Sequence, residues 1–191
     1  MSVKTIDLPI SWFRTADSKS ASSLYMRFGW SYDSYNGIWY RIHGWTQFNF
    51  SAIAGMLDSQ ILGGEIKTTQ QWTAPGSNPI YLWRVLRTVE NASITWTKYS
   101  SVGSWAVAGG LSPGSDIYAV QLATHVFADL ENSVSLSAAN IRTIRAANSP
   151  ILFSMMTQPA AESWIQISSA ANIFLRVSYE TSSLAGDVVM F

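Results

Sequence analysis

The chain has 191 residues, enough for one domain that buries a sizeable core without disulfide or metal staples. Twelve basic residues balance twelve acidic ones and neither sign forms a run, which argues against a nucleic-acid or anionic-membrane partner. There are no cysteines, so disulfides and thiolate metal sites are excluded.

Charged residues make up only 13% of the chain, against about 25% in an average soluble domain. The deficit leaves a surface of Ser, Thr, Asn and Gln, and it suits a protein partly covered in an assembly. Aromatics reach 13%, with nine tryptophans. Large flat rings serve a β core, and they also serve stacking on sugars or on partner proteins.

The first ten residues lack the charged start and apolar core of a signal peptide. Their alternating Ile6, Leu8 and Ile10 suit a strand, and export by a classical route is not expected. No stretch approaches the ~18 apolar residues of a membrane span.

Period-two alternation then recurs in ten short runs: residues 24–30, 39–42, 45–50, 65–72, 81–86, 93–97, 117–122, 151–157, 164–168 and 172–179. Turn formers separate them at Asn36-Gly37, Gly63-Gly64, Pro75-Gly76-Ser77-Asn78-Pro79, Gly109-Gly110 and Ser112-Pro113-Gly114. A helical turn is expected at residues 124–130. A short helix is expected after Ser137, an N-cap, with Ile141 and Ile144 on one face and Pro150 ending it. The expected fold is all-β, a jelly-roll-like β-sandwich of about ten strands with one short helix. The domain is placed at residues 1–180 and a tail at residues 181–191.

The search for chemistry returns little. His43 and His125 are isolated, so no transition-metal site is expected. The acids are scattered, with no pair suited to glycoside hydrolysis. No nucleophile elbow or phosphate-binding loop occurs, so the chain is read as non-catalytic and without a cofactor. A structural calcium needs only loop oxygens, and Asp17, Asp33 and Asp116 are its candidate ligands. The binding candidates are aromatic: Tyr32 and Tyr35 in the stretch Ser31-Tyr32-Asp33-Ser34-Tyr35-Asn36-Gly37, with Trp39 just beyond. These rings either anchor a ligand or cap one end of the sandwich. The tail ends in apolar Val188, Val189, Met190 and Phe191, which either pack on their own sheet or dock on a neighbouring subunit.

Several segments together resemble the DNRLRE family of jelly-roll modules, related to some carbohydrate-binding modules. Residues 15–20 followed by Leu24-Tyr25-Met26-Arg27-Phe28-Gly29 are similar to its opening loop and first long strand. Gln47-Phe48-Asn49-Phe50-Ser51-Ala52-Ile53 resembles its RFDLS-I strand, with Asn49 replacing Asp. Gly64-Glu65-Ile66-Lys67 stands where the next strand of that family begins. Ala92-Ser93-Ile94-Thr95-Trp96 with Tyr99, Trp105 and Gly109-Gly110 resembles its TW…W…G segment. Phe174-Leu175-Arg176-Val177-Ser178-Tyr179 is similar to its last strand. The likeness spans residues 13–180 and departs from the pattern at Asn49 and after Glu180. It implies the fold, and it assigns no binding residues.

Modules of that kind occur in secreted polysaccharide enzymes, cell-surface proteins and bacteriophage particles. A chain with its own Met, no signal peptide and no catalytic partner fits the last of these. The expectation is a structural or binding protein of a phage or phage-like particle, decorating the head or forming part of a tail or fibre. It would sit in the virion with other particle proteins, self-associate, and bind surface glycans. The alternative is an extracellular carbohydrate-binding module.

Overall fold

The computed structural model describes residues 2–17, 21–22, 25–70, 72–73, 78–127, 129–167 and 169–181. In chain order the strands are β1 (Ser2–Asp17), β2 (Ala21–Ser22), β3 (Met26–Asp33), β4 (Ile38–Phe48), β5 (Ile61–Thr69), β6 (Trp72–Thr73) and β7 (Ile80–Arg84). They continue with β8 (Ala123–His125), β9 (Glu131–Ser137), β10 (Ile151–Ser154), β11 (Ser163–Ile167) and β12 (Ile173–Thr181). The helix α1 (Ala138–Ala147) lies between β9 and β10. The fold is all-β and sandwich-like, and ten of these strands are longer than two residues, as the sequence led us to expect.

Every strand pairing is antiparallel, and β1 explains how one sheet makes two layers. Its first half pairs β12, which continues through β5 to β9. At Ser11 the register slips, and the second half pairs β4 instead. A bulge of this kind bends a strand and raises its twist, which carries β1 from one layer to the other. Beyond β4 lie β3, β11 and β6, while β10 pairs a second stretch of β4 and leads to β7 and β8. Because β8 lies beside β9, the sheet is nearly closed into a barrel.

Alternation sets which face is buried. In β12, Ile173, Leu175 and Val177 point into the core, while Phe174, Arg176 and Ser178 face outward. In β9, Val134 and Leu136 do the same between serines. The main core gathers these with Phe28, Phe48, Phe127 and Phe153. Phe28 sits edge-on to Phe127 at 5.3 Å and tilted on Phe153 at 5.1 Å. Each such buried side chain contributes about 1.5–3 kcal/mol.

The helix forms as its sequence dictates. The Ser137 hydroxyl accepts from the Asn140 amide, and Asn148 closes the C-terminus in the left-handed region with φ of 45°. Ile141 and Ile144 enter the main core. Ser137→Ala is expected to cost about 1 kcal/mol, read as a lower urea midpoint. An unchanged midpoint would show that the cap contributes nothing.

Four expectations change. Residues 39–42 and 45–50, read as two strands, give one strand, β4, which runs through Gly44 and ends at Phe48. Gly63 and Gly64, read as a turn, lie inside β5, where a Cβ on Gly64 would approach the Arg176 carbonyl to 2.2 Å. Of residues 124–130, read as a helical turn, Thr124 and His125 instead belong to β8. Residues 93–97 and 117–122 are not strands either.

Those last two segments belong to a long excursion, residues 86–122, with no strand of its own. It folds over the outer face of β1, β4, β10 and β7, where Arg14, Trp45, Leu152 and Trp83 form one cross-strand row. Ile94, Trp105 and Ile117 come down on Trp45, Leu152 and Val85 to make a second, smaller core. Irregular loops longer than about 15 residues are uncommon unless they carry a role. The role visible here is to cover a sheet face rich in indoles.

Candidate functional site

Two places in the molecule gather polar and aromatic side chains: the tip of the β3–β4 hairpin and the seam between β4 and the cover. The hairpin holds Tyr32, Tyr35 and Trp39, the residues singled out from the sequence.

Asp33 organises its turn. One carboxylate oxygen accepts from the Tyr35 and Asn36 amides at 3.1 and 3.2 Å, and the other from the Asn36 side chain at 2.9 Å. Asp and Asn favour such turns because a short polar side chain can satisfy neighbouring amides. Tyr32 faces Trp39 across the hairpin, and Trp30 faces Arg41 one step nearer the base. Alternate residues share a face, so these four side chains form one stripe. The Tyr32 and Trp39 rings lie 5.1 Å apart, and the Arg41 guanidinium sits 4.8 Å above the Trp30 ring.

The base of the stripe is fixed. Trp30 Nε1 donates to the Met155 carbonyl and Arg41 to the Met156 carbonyl. Glu162 accepts from the Ser31 hydroxyl at 2.7 Å and from the Tyr32 amide at 2.6 Å. Burial lowers the pKa of the Arg41 guanidinium. The tip is open: Tyr35 is 94% exposed and Tyr32 40%. The structure thus brings Tyr32 and Trp39 together and leaves Tyr35 projecting beyond them. Val188, Val189, Met190 and Phe191 lie outside the described residues.

The second cluster centres on His43, which is fully buried. Its Nδ1 lies 2.7 Å from the Gly109 carbonyl and its Nε2 3.0 Å from the Ser154 hydroxyl. A carbonyl can only accept, so Nδ1 carries the proton and neutral Nε2 accepts from Ser154. Burial first, and then nearby Arg41, depress the imidazole pKa to about 3 against the opposing hydrogen bond to the Gly109 carbonyl. Trp45 and Trp96 flank the ring at 5.7 and 4.7 Å. Gly109 has φ of +89°, and a Cβ there would meet His43 at 2.9 Å and Trp96 at 3.1 Å. A serine beside a histidine is the beginning of a nucleophilic site. Here both side chains are sealed from solvent, so the pair ties the cover to β4 and β10.

Asp116 performs a matching task. It is wholly buried, and its two oxygens accept from the Ala106 and Val107 amides at 3.0 and 3.1 Å. Arg87 stands 3.4 Å away. Asp33 and Asp116, both candidates for calcium, therefore spend their oxygens on amides. Among the described residues no three of His, Asp and Glu stand close enough to hold a metal ion. No described helix is long and apolar enough to cross a membrane. Sequence reasoning did not find the His43–Ser154 contact, since 111 residues separate its members. No family model matches the chain, and a search of curated proteins finds no significant match.

Proposed function

We propose that the chain is a non-catalytic recognition protein of a phage or phage-like particle, and that it binds glycans through the tip of the β3–β4 hairpin. The observation that carries the binding role is Tyr35, almost fully exposed beyond the Tyr32–Trp39 pair on a hairpin whose base is braced. Exposed rings held at one end by a rigid scaffold stack on sugar faces at little entropic cost. A hairpin that only capped the sandwich would bury its tip ring.

The particle setting rests on the sequence: the low charge, the balanced net charge, and the resemblance to modules found on such particles. In that setting the apolar residues Val188 to Phe191 contact other particle proteins or another copy of the chain. A carbohydrate-binding module outside a particle would use the same hairpin.

A glycan array with the intact protein tests the binding role. Tyr35→Ala and Tyr32→Ala together are expected to weaken the selected glycan about fivefold to a hundredfold, since each stacked ring contributes about 0.5–1.5 kcal/mol. Tyr35 is a surface residue, so its loss should leave stability within about 0.5 kcal/mol. Full affinity in the double variant, or an array without a single bound glycan, would refute the role.

A further inference from the structure

We propose that a second site, the cleft between the end of β7, the start of the cover and the C-terminus of α1, binds a carboxylated sugar unit. The cleft has a volume of about 380 Å³, and its walls include Arg84, Arg87, Thr88, Gln47, Asn148 and Ser149. That volume lies within the range of small-molecule sites. The choice of a sugar as carrier rests on the recognition role proposed above; the anion chemistry of the cleft does not.

The arginines carry the inference. Arg84 Nε is buried and has no hydrogen-bond partner. Arg14, Arg41 and Arg142 leave a buried Nε unpaired as well, but each donates from a terminal nitrogen to a backbone carbonyl. Among the described residues Arg84 makes no such bond and has no carboxylate at ion-pair distance; its guanidinium carbon lies 4.6 Å from the Tyr118 ring. A half-buried cation without an acceptor is costly, and an anion in the cleft removes that cost.

Arg87 stands beside it, propped on the Tyr99 ring at 5.5 Å. Its bond to Asp116 is long, at 3.4 Å, and Asp116 already accepts two amides. The described lining of the cleft holds two arginines and no acid, so its walls are positively charged. Two guanidinium forks held on tyrosine rings suit a planar carboxylate, which accepts two parallel N–H bonds. Thr88, Ser149 and Asn148 supply neutral hydrogen-bonding groups of the kind that hydroxyls need.

Galacturonate, galactose and sodium sulfate, titrated into the whole protein at low salt, test the proposal by calorimetry and NMR. Galacturonate should bind saturably and galactose should not. Arg84→Gln should weaken galacturonate at least about tenfold, the share of one or two charged hydrogen bonds. Arg84→Lys keeps the charge and the ring contact but loses the fork, so it should fall between. Near-UV circular dichroism checks that the variants fold. Tyr32→Ala with Tyr35→Ala should leave galacturonate binding unchanged, which separates this cleft from the hairpin. The proposal is overturned if galacturonate does not bind, if galactose or sulfate binds as tightly, or if Arg84→Gln has no effect. Array binding that depends on the tyrosines would survive each of those results.

Discussion

Asp116→Ala is expected to cost about 3 kcal/mol. Its carboxylate accepts the Ala106 and Val107 amides and faces Arg87 from a position closed to solvent. Hydrogen bonds to a charged acceptor contribute about 1.5–3 kcal/mol each, and removing the acceptor strands both donors. The backbone of the same residue joins Ser112 to Leu86, so the knot that fails is the one closing the cover on itself. For a chain of this size the melting temperature should fall by roughly 10 °C. Near-UV dichroism from Trp45 and Trp105, stacked 6.0 Å apart where the cover meets β4, should weaken with it. Asp116→Asn should lie between the two, because one amide would then face an NH2 group. A loss under about 1 kcal/mol would mean that the cover is held by its apolar contacts alone.

The second large effect is on acid stability, and it runs through His43. The unfolded imidazole titrates near 6.5, whereas in the fold burial holds it down to about 3. Between those values the unfolded chain binds a proton that the folded chain refuses. The stabilisation from neutral His43 is complete above pH 6.5 and is lost as pH falls towards 3. Each pH unit across that window costs about 1.4 kcal/mol. Asp7, Glu65 and Glu90 are also held below their ordinary values, by Arg176, by Ser133 and by the Ser101 amide respectively. Their contributions are lost only as pH falls through the carboxylate range. Denaturation measured from pH 6.5 to 5 therefore isolates the histidine. His43→Gln should lower stability at pH 7 and flatten this slope; an unaltered slope would contradict the assignment.

Much of the scaffold was legible because its signals are local. Ser137 and Pro150 bracket the helix, Asp33 with Asn36-Gly37 marks the hairpin turn, and alternation in residues 172–179 locates β12. Tyr32, Tyr35 and Trp39 stood out for the same reason: a turn between strands exposes what it carries.

The errors come from contacts distant in sequence. Residues 93–97 and 117–122 alternate like strands because Ile94 and Ile117 must point down into the second core. Their backbones, however, do not join a sheet beyond isolated bridges. Strand β9 hid among serines, since its outer face is polar and only Val134 and Leu136 are buried apolar residues. Asp116 read as a loop ligand because nothing nearby in sequence shows that two amides ten and nine residues upstream will turn towards it. The resemblance assigned no binding role to the segment with Trp96, Trp105 and Gly109-Gly110. In the structure the Gly109 amide donates to the Trp96 carbonyl, Gly110 lies against Trp105, and Trp105 is buried.

Ligand is proposed to bind at the hairpin tip. The most direct test is a ¹⁵N-resolved NMR titration of the intact protein with the glycan chosen on the array. Binding at the tip should shift the Trp39 indole signal and the amides of Tyr32, Tyr35 and Asn36, with the buried Trp45 indole unmoved. Shifts confined to another surface, or none at saturating glycan, would contradict it.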